Sequence, residues 1–369
     1  MPIHFTAADW TRIRDTYRQW WAGALDRPLI HLTVDGAAPG RPPAAQPVRA
    51  FQSMYDDAVS AEAIVDAWDW QLSGQRWLGD AFPTVFPNFG PGVIAAFLGA
   101  TLENGENTVW FHPREEKSAA ELRFAVDPAN PWLRRISDLV RAAGERWGGQ
   151  VLVGLPDLGG SLDLLASFRP SEQLLLDLYD DPEAVKARTW ELHELWWHYY
   201  QHFARLQPAG HPGFSAWTPI YSETPYYMLQ CDFSYMIGPE MFNEFVKPEL
   251  AAACKKLGNA FYHLDGPGEL PHLDALLSIP ELKGIQWVPG AGQPGIEHWP
   301  QVYRKIREAG KLIQFFTGQS KLGLGALDVL ARQLGSAKGI IMIGGCTPAE
   351  EPAARRLLEK YGAVLGTPF

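Results

Sequence analysis

The feature that most constrains the fold is a regular alternation of short apolar segments and helical segments that begins near residue 150. Each apolar segment is a nearly continuous hydrophobic run, which is typical of parallel strands that are buried on both faces. Each is followed by a segment with the apolar spacing of an amphipathic helix. The predicted strands are 151–160, 214–224, 260–266, 284–290, 311–318 and 339–345, and the predicted helices are 182–206, 239–258, 273–280, 300–310, 326–335 and 352–362.

This alternation predicts either an open doubly wound sheet or a closed (β/α)8 barrel. No predicted strand is followed by a glycine motif for a dinucleotide or a P-loop. Polar residues at the strand ends would all meet in the mouth of a barrel. We therefore expect an α/β fold of the (β/α)8 TIM-like class with an N-terminal helical and meander extension. The extension would contain a helix over 8–24 and a meander with short strands at 107–113 and 120–126. It would be one domain over 1–369, with an irregular cap and the first strands in 1–130 and regular units in 150–365.

Composition sets the broad class of protein. Hydrophobic residues make up 46% of the chain, enough for a large core. Against 42 acidic residues stand 32 Lys and Arg, and the net charge of −10 argues against a nucleic acid or an anionic membrane as partner. The chain shows no signal peptide and no apolar stretch of membrane-spanning length, and its 3 cysteines suit a reducing compartment. These features predict a cytoplasmic protein.

Acidic and aromatic residues at predicted strand ends and loops are the candidates for catalysis and binding. Asp157 and Glu223 are candidates for a general acid or base, although a helix cap or a salt bridge would equally explain them. A second group would bind substrate or, alternatively, pack in the core. Its members are Asp80, Trp110, Gln286, Trp287 and Gln314.

Three further residues suggest a metal site. His263 and Asp265 are two apart on a predicted strand, so both side chains leave on the same face. Cys346 follows the last predicted strand. A histidine, a carboxylate and a thiolate would make a three-ligand zinc site with an open fourth position. The alternative is a core histidine bonded to the acid and an inert buried cysteine.

Several segments resemble the uroporphyrinogen decarboxylase-like superfamily, which includes zinc-dependent corrinoid methyltransferases. The resemblance covers roughly residues 75–365 and lies mainly in 157–170, 177–186, 230–292 and 341–362. The methyltransferases carry a His-x-Cys-Gly motif and a later Gly-Cys before Thr-Pro. Here the first reads His263-Leu264-Asp265-Gly266, with Asp in place of Cys, and the second reads Gly345-Cys346-Thr347-Pro348. The Arg-rich N-terminal motif of true porphyrinogen decarboxylases does not occur in this sequence.

The resemblance implies a (β/α)8 barrel and a zinc-dependent methyltransferase or demethylase. Zinc would be bound by His263, Asp265 and Cys346, and a methyl group would move between a small substrate or a corrinoid protein and a thiol. Cobalamin would then be supplied by a partner protein, and the Trp-rich first helix could serve a homodimer interface. Two alternatives stay open: a metal-independent decarboxylase or lyase acting on a small carboxylate, and a non-catalytic protein that binds a small molecule.

Overall fold

The computed structural model describes residues 3–366 and shows a mixed α/β fold. Within these residues, no helix combines the length and the apolar character needed to cross a membrane. The helices are α1 (Ala7–Trp21), α2 (Ala61–Ser73), α3 (Ile94–Phe97), α4 (Pro131–Trp147), α5 (Ser161–Ala166), α6 (Ser171–Asp180), α7 (Pro182–Leu206), α8 (Pro239–Met241), α9 (Lys247–Lys256), α10 (Leu273–Leu277), α11 (Pro300–Glu308), α12 (Ala326–Leu334) and α13 (Glu351–Lys360).

Seven strands form one mostly parallel sheet in the order β2-β1-β11-β10-β9-β8-β7. Only β2 runs antiparallel to its neighbour, β1. The remaining strands form two small sheets, the parallel pair β3–β6 and the antiparallel hairpin β4–β5. The strands are β1 (Leu29–Val34), β2 (Arg76–Gly79), β3 (Thr84–Val85), β4 (Thr101–Asn104), β5 (Val109–His112), β6 (Leu152–Val153), β7 (Tyr226–Leu229), β8 (Asn259–Asp265), β9 (Leu282–Val288), β10 (Leu312–Phe316) and β11 (Ile340–Cys346).

The pair β3–β6 is linked to both edges of the large sheet. On one side, β3 follows the edge strand β2 after only four residues, 80–83. On the other side, the N–H of Leu155 donates to the carbonyl of Ser215 at 3.0 Å, shortly before the other edge strand, β7. The continuous hydrogen-bonded ladder is confined to the seven strands, and β3–β6 forms a separate sheet.

Helix α1 forms where its sequence predicts, because its first turn is capped and one face is apolar. The Thr6 hydroxyl accepts the N–H of Asp9 at 3.2 Å, and the Asp9 carboxylate accepts the N–H of Thr6 at 2.9 Å. Ile13, Tyr17 and Trp20 recur at helical spacing and are fully buried.

The buried face of α1 packs against aromatic side chains at the N-terminal ends of the strands. The Trp20 ring stacks on Phe261 of β8 with centroids 5.9 Å apart. Tyr17 meets Tyr221 edge to face at 5.7 Å. Thus α1 packs against the N-terminal end of the sheet, away from the carboxyl end.

Two of the predicted strands are wrong. Residues 214–224 form no strand, only a single antiparallel bridge between Phe214 and Ser222, and the strand lies at β7. Pro219 interrupts the segment and has no N–H to offer a ladder, while Pro225 directly precedes the real strand. The segment 120–126, predicted as a meander strand, forms no strand either.

Candidate active site

A row of polar side chains crosses one face of the large sheet near its carboxyl edge. His263 of β8 is paired in register with Gln286 of β9, which is paired with Gln314 of β10. Register partners in a parallel sheet point to the same side, so the three side chains share one face. Gln286 and Gln314 are fully buried, and neither amide atom of Gln314 has a hydrogen-bond partner in the described part of the chain. The structure therefore brings together three of the residues predicted to form the site.

His263 is held in a defined orientation within this row. Its Nδ1 is hydrogen-bonded to the Gln286 Oε1, and because an amide oxygen only accepts, Nδ1 carries the proton. Its Nε2 lies 3.9 Å from the Asp265 carboxylate, and the Trp217 ring meets the imidazole edge to face at 5.3 Å. The Nε2 atom is thus not used by the contact with Gln286 and lies on the side of the Asp265 carboxylate.

Four acids, the acid cluster, lie within electrostatic reach of one another, and one of them, Asp232, also interacts with His263. They are Asp157 after β6, Asp163 in α5, Asp232 after β7 and Glu269 after β8. Burial raises the pKa of Asp157 to about 7; the Asp232 charge adds to the increase, and the N–H groups of Gly159 and Gly92 oppose it. Burial likewise raises the pKa of Glu269 to about 10, and nearby Asp232 adds to the effect.

Asp163 and Asp232 are joined through backbone hydrogen bonds. The Asp163 carboxylate accepts the N–H of Asp232 at 3.1 Å and of Phe233 at 2.8 Å. Burial and their mutual repulsion raise the pKa of Asp163, and burial also raises the pKa of Asp232, which the His263 charge opposes. Protein groups surround the Asp232 carboxylate, but the residue as a whole is exposed to solvent, so the cluster is accessible from outside.

The turn that carries Asp157 packs closely against neighbouring backbone, and this packing sets the position of Asp157. The turn after β6 contains Gly159 at φ +77°, a conformation that favours glycine. A Cβ at Gly160 would overlap the carbonyl oxygen of Gln230, which follows β7. The Asp157 carboxylate accepts the N–H of Gly159 at 3.0 Å, and the Asp157 carbonyl accepts the N–H of Val93 at 3.0 Å. Glycines thus allow this turn to approach the β7 loop.

Two residues predicted for the site lie at the other end of the sheet. Glu223 comes just before β7 and pairs with Arg18 of α1 at 2.8 Å, which lowers the pKa of Glu223. Asp80 is fully buried and forms a two-point ion pair with Arg27 at 2.7 and 2.8 Å. Its carboxylate also accepts the N–H of Ile30 at the start of β1. Both acids therefore take part in ion pairs away from His263.

Two of the predicted aromatic residues are also separate from the polar row. Trp287 follows Gln286 and points to the opposite face, where its ring meets Trp299 at 5.2 Å. Trp110 lies on the β4–β5 hairpin, and more than half of its surface is exposed.

Cys346 lies three strands away from His263 in the sheet order. In register, Ile341 of β11 is the partner of Gln314, so the Ile341 side chain lies on the same face as the polar row. Side chains alternate along a strand, and Cys346 is five residues further on, so its side chain lies on the opposite face, beside its register partner Val34. Burial raises the pKa of the Cys346 thiol to about 11, and Glu350 and Glu351 add to this effect. Across residues 3–366, no three His, Cys, Asp or Glu side chains are arranged to hold a metal ion. The set of His263, Asp265 and Cys346 therefore does not fit a zinc ion in this arrangement.

Sequence reasoning missed Asp163, Asp232 and Glu269. Asp232 follows β7 almost directly, and a corrected strand boundary would have selected it as a strand-end acid. Asp163 and Glu269 belong to short helical segments, where an acid in the first turn is an ordinary feature, so no local signal singles them out.

The most evident surface cavities lie elsewhere. One of about 520 Å³ is lined by Trp10, Arg14 and Gln150, next to the N-terminal half of α1. Another of about 400 Å³ lies between α2 and α4. Neither is lined by a member of the acid cluster.

Comparison with models of known protein families gives no match for this chain. A search of curated proteins likewise finds no significant relative.

The raised pKa of Asp157 has a testable effect on stability. Between the unfolded pKa near 3.8 and the folded pKa near 7, the folded state keeps a proton that the unfolded state has lost. The stabilisation from Asp157 is therefore complete below about pH 4 and is lost as pH rises to about 7. We expect Asp157→Asn to gain stability relative to the wild type over this range, as measured by urea unfolding at pH 5 and pH 8. Asp138→Asn, at an exposed ion pair on α4, is the control, and an equal pH response of both variants would contradict the expectation.

Proposed function

We propose that β3–β6 and the seven-stranded sheet together form a closed (β/α)8 barrel of the uroporphyrinogen decarboxylase-like superfamily, and that the chain is an acid–base enzyme. The reaction class we favour is a metal-independent decarboxylase or lyase acting on a small substrate. The observation that carries this proposal is that Asp232, which follows β7, interacts electrostatically both with Asp157 and with His263. Perturbed titratable groups that meet at an accessible edge are typical of active sites.

Asp157 suits the transfer of a proton at neutral pH. With a pKa of about 7, it is present in both its protonated and its ionised form, so it can donate a proton and be recharged from water. In a decarboxylation, the bond from carbon to the carboxylate breaks, carbon dioxide leaves, and the carbon that keeps the electron pair takes the proton of Asp157. Asp163 and Glu269 are protonated near neutrality and can donate hydrogen bonds to a substrate carboxylate.

His263 and Gln286 provide the second polar contact in this mechanism. Because Nδ1 donates to Gln286, Nε2 of His263 can accept a hydrogen bond from a substrate hydroxyl. Gln314, whose amide has no partner in the described residues, extends the row toward β11. We assign Gln286 the role of orienting His263.

Methyl transfer is the second candidate, and one observation favours it. A histidine whose Nδ1 is fixed by an acceptor while Nε2 faces a carboxylate is the usual arrangement of a metal ligand. However, Cys346 lies on the other face of the sheet, so the described residues supply only two of the three ligands that the resemblance implies. A corrinoid protein as partner, with its cobalamin, belongs to this second candidate alone.

The proposal is tested by turnover of an undefined substrate pool. The purified wild type and the Asp157→Asn variant are incubated with a metabolite extract, with and without EDTA, and products are compared by mass spectrometry. We expect some metabolite signals to change when the extract is incubated with the wild type, both with and without EDTA. The same signals should stay unchanged with Asp157→Asn.

The other outcomes contradict the proposal in distinguishable ways. Turnover that EDTA stops and zinc restores would support the methyl-transfer candidate. Metal content measured in the wild type, His263→Ala and Cys346→Ser would then identify the ligands. Metabolites that are retained by the protein without conversion would indicate a binding protein.

A further inference from the structure

Tyr227 of β7 makes two hydrogen bonds to the turn that carries Asp157. Its hydroxyl donates to the carbonyl of Pro156 at 2.9 Å and accepts the N–H of Leu158 at 2.6 Å. Both partners are backbone groups, one on each side of Asp157. Tyr227 is fully buried, and burial raises the pKa of its hydroxyl well above the ordinary value, so it stays neutral.

A second aromatic residue anchors the same turn one step further along. The Trp196 Nε1 of α7 donates to the carbonyl of Gly159 at 3.0 Å. Trp196 also meets Tyr227 edge to face at 5.0 Å. The backbone around Asp157 is therefore held by one strand and one helix, neither of which provides the acid itself.

We propose that Tyr227 is a positioning residue that holds residues 156–158 so that the Asp157 carboxylate faces Asp232 and the open edge of the sheet. The relevance of Tyr227 to catalysis rests on the proposed function, whereas its effect on the position of the turn does not. The single hydroxyl proton is used by Pro156, so Tyr227 acts on Asp157 through the backbone.

The turn geometry sets the environment that Asp157 experiences. The groups facing its carboxylate are Asp232, Asp163, the Tyr227 hydroxyl and the N–H groups of Gly92 and Gly159. Loss of the Tyr227 hydroxyl leaves the buried N–H of Leu158 unpaired, and a buried donor without a partner is costly. The turn is then expected to move outward, where water stabilises the carboxylate.

The test is a titration of Asp157 that needs no substrate. In protein labelled with ¹³C at the aspartate carboxyl groups, Tyr227→Phe is expected to lower the titration midpoint of Asp157 from about 7 by about one pH unit or more, toward the ordinary aspartate value. Tyr200→Phe is the matched control, because Tyr200 is an equally buried neighbour whose hydroxyl bonds the carbonyl of Tyr226 instead. A midpoint that is unchanged in Tyr227→Phe, or shifted equally in both variants, overturns the inference.

Two further measurements test the inference if Tyr227→Phe does not fold. Trp196→Phe is expected to shift the Asp157 midpoint in the same direction by a smaller amount, and no shift counts against the inference. In the wild type, the amide of Leu158 is expected to exchange with solvent as slowly as the β7 amides, and fast exchange overturns it. These readouts succeed or fail whether or not Asp157 proves to be catalytic.

Discussion

Replacing Asp157 with asparagine is expected to lower kcat by about 10²- to 10⁴-fold, the usual contribution of a general acid or base. Asparagine preserves the shape of the side chain and the hydrogen bond from the N–H of Gly159, but it cannot exchange a proton with a substrate. The loss should therefore appear in kcat, with KM changed little. The measurement is steady-state kinetics on a substrate that the turnover screen provides.

Glu223→Gln is the informative comparison for this experiment. The sequence assigns both acids a catalytic role, but Glu223 pairs with Arg18 at the opposite end of β7. We expect Glu223→Gln to retain kcat within about threefold, well below the contribution of a general acid. If Glu223→Gln loses activity while Asp157→Asn keeps it, the proposed site is wrong.

Replacing Asp80 with alanine is expected to destabilise the folded state by about 3–5 kcal/mol, the range found when one partner of a buried ion pair is removed. Asp80 is fully buried, and its carboxylate accepts two hydrogen bonds from Arg27 and one from the N–H of Ile30. Without it, a largely buried guanidinium loses its counter-charge, and the start of β1 loses a hydrogen bond. The measurement is the free energy of unfolding in urea, compared with the wild type.

Asp26→Ala is the control for this prediction. Asp26 is adjacent to Arg27 but pairs with Lys338 at the surface, where an ion pair contributes little. Its midpoint of unfolding should match the wild type. Equal midpoints for Asp80→Ala and the wild type would show that the Asp80–Arg27 pair is dispensable, and Asp80 would return to consideration as a binding residue.

The sequence predicted best where a signal is local. Continuous apolar runs located β8 to β11, and the polar residues His263, Gln286 and Gln314 of the first three of these strands were already candidates for the site. The strand before them was misplaced because an apolar segment broken by Pro219 resembles a strand in composition although it cannot pair as one.

The remainder of the site depends on tertiary contacts that no local pattern encodes. Asp163 belongs to the site because its carboxylate accepts the N–H groups of Asp232 and Phe233, about seventy positions later in the chain. Cys346 and His263 match motifs that the resemblance assigns to one metal, yet the register of β11 directs the thiol to the other face. Composition and spacing do not reveal which face a residue at the end of a strand will occupy.

The position of helix α1 affects how substrate would reach the proposed site and how product would leave it. Trp20 stacks on Phe261, which lies two residues before His263 on the same face of β8, so aromatic rings fill the space beneath the polar row at this strand. Substrate would then enter, and product would leave, by the same route at the carboxyl edge. Bound product would then block the binding of the next substrate molecule. We therefore expect the product to be a competitive inhibitor with respect to substrate.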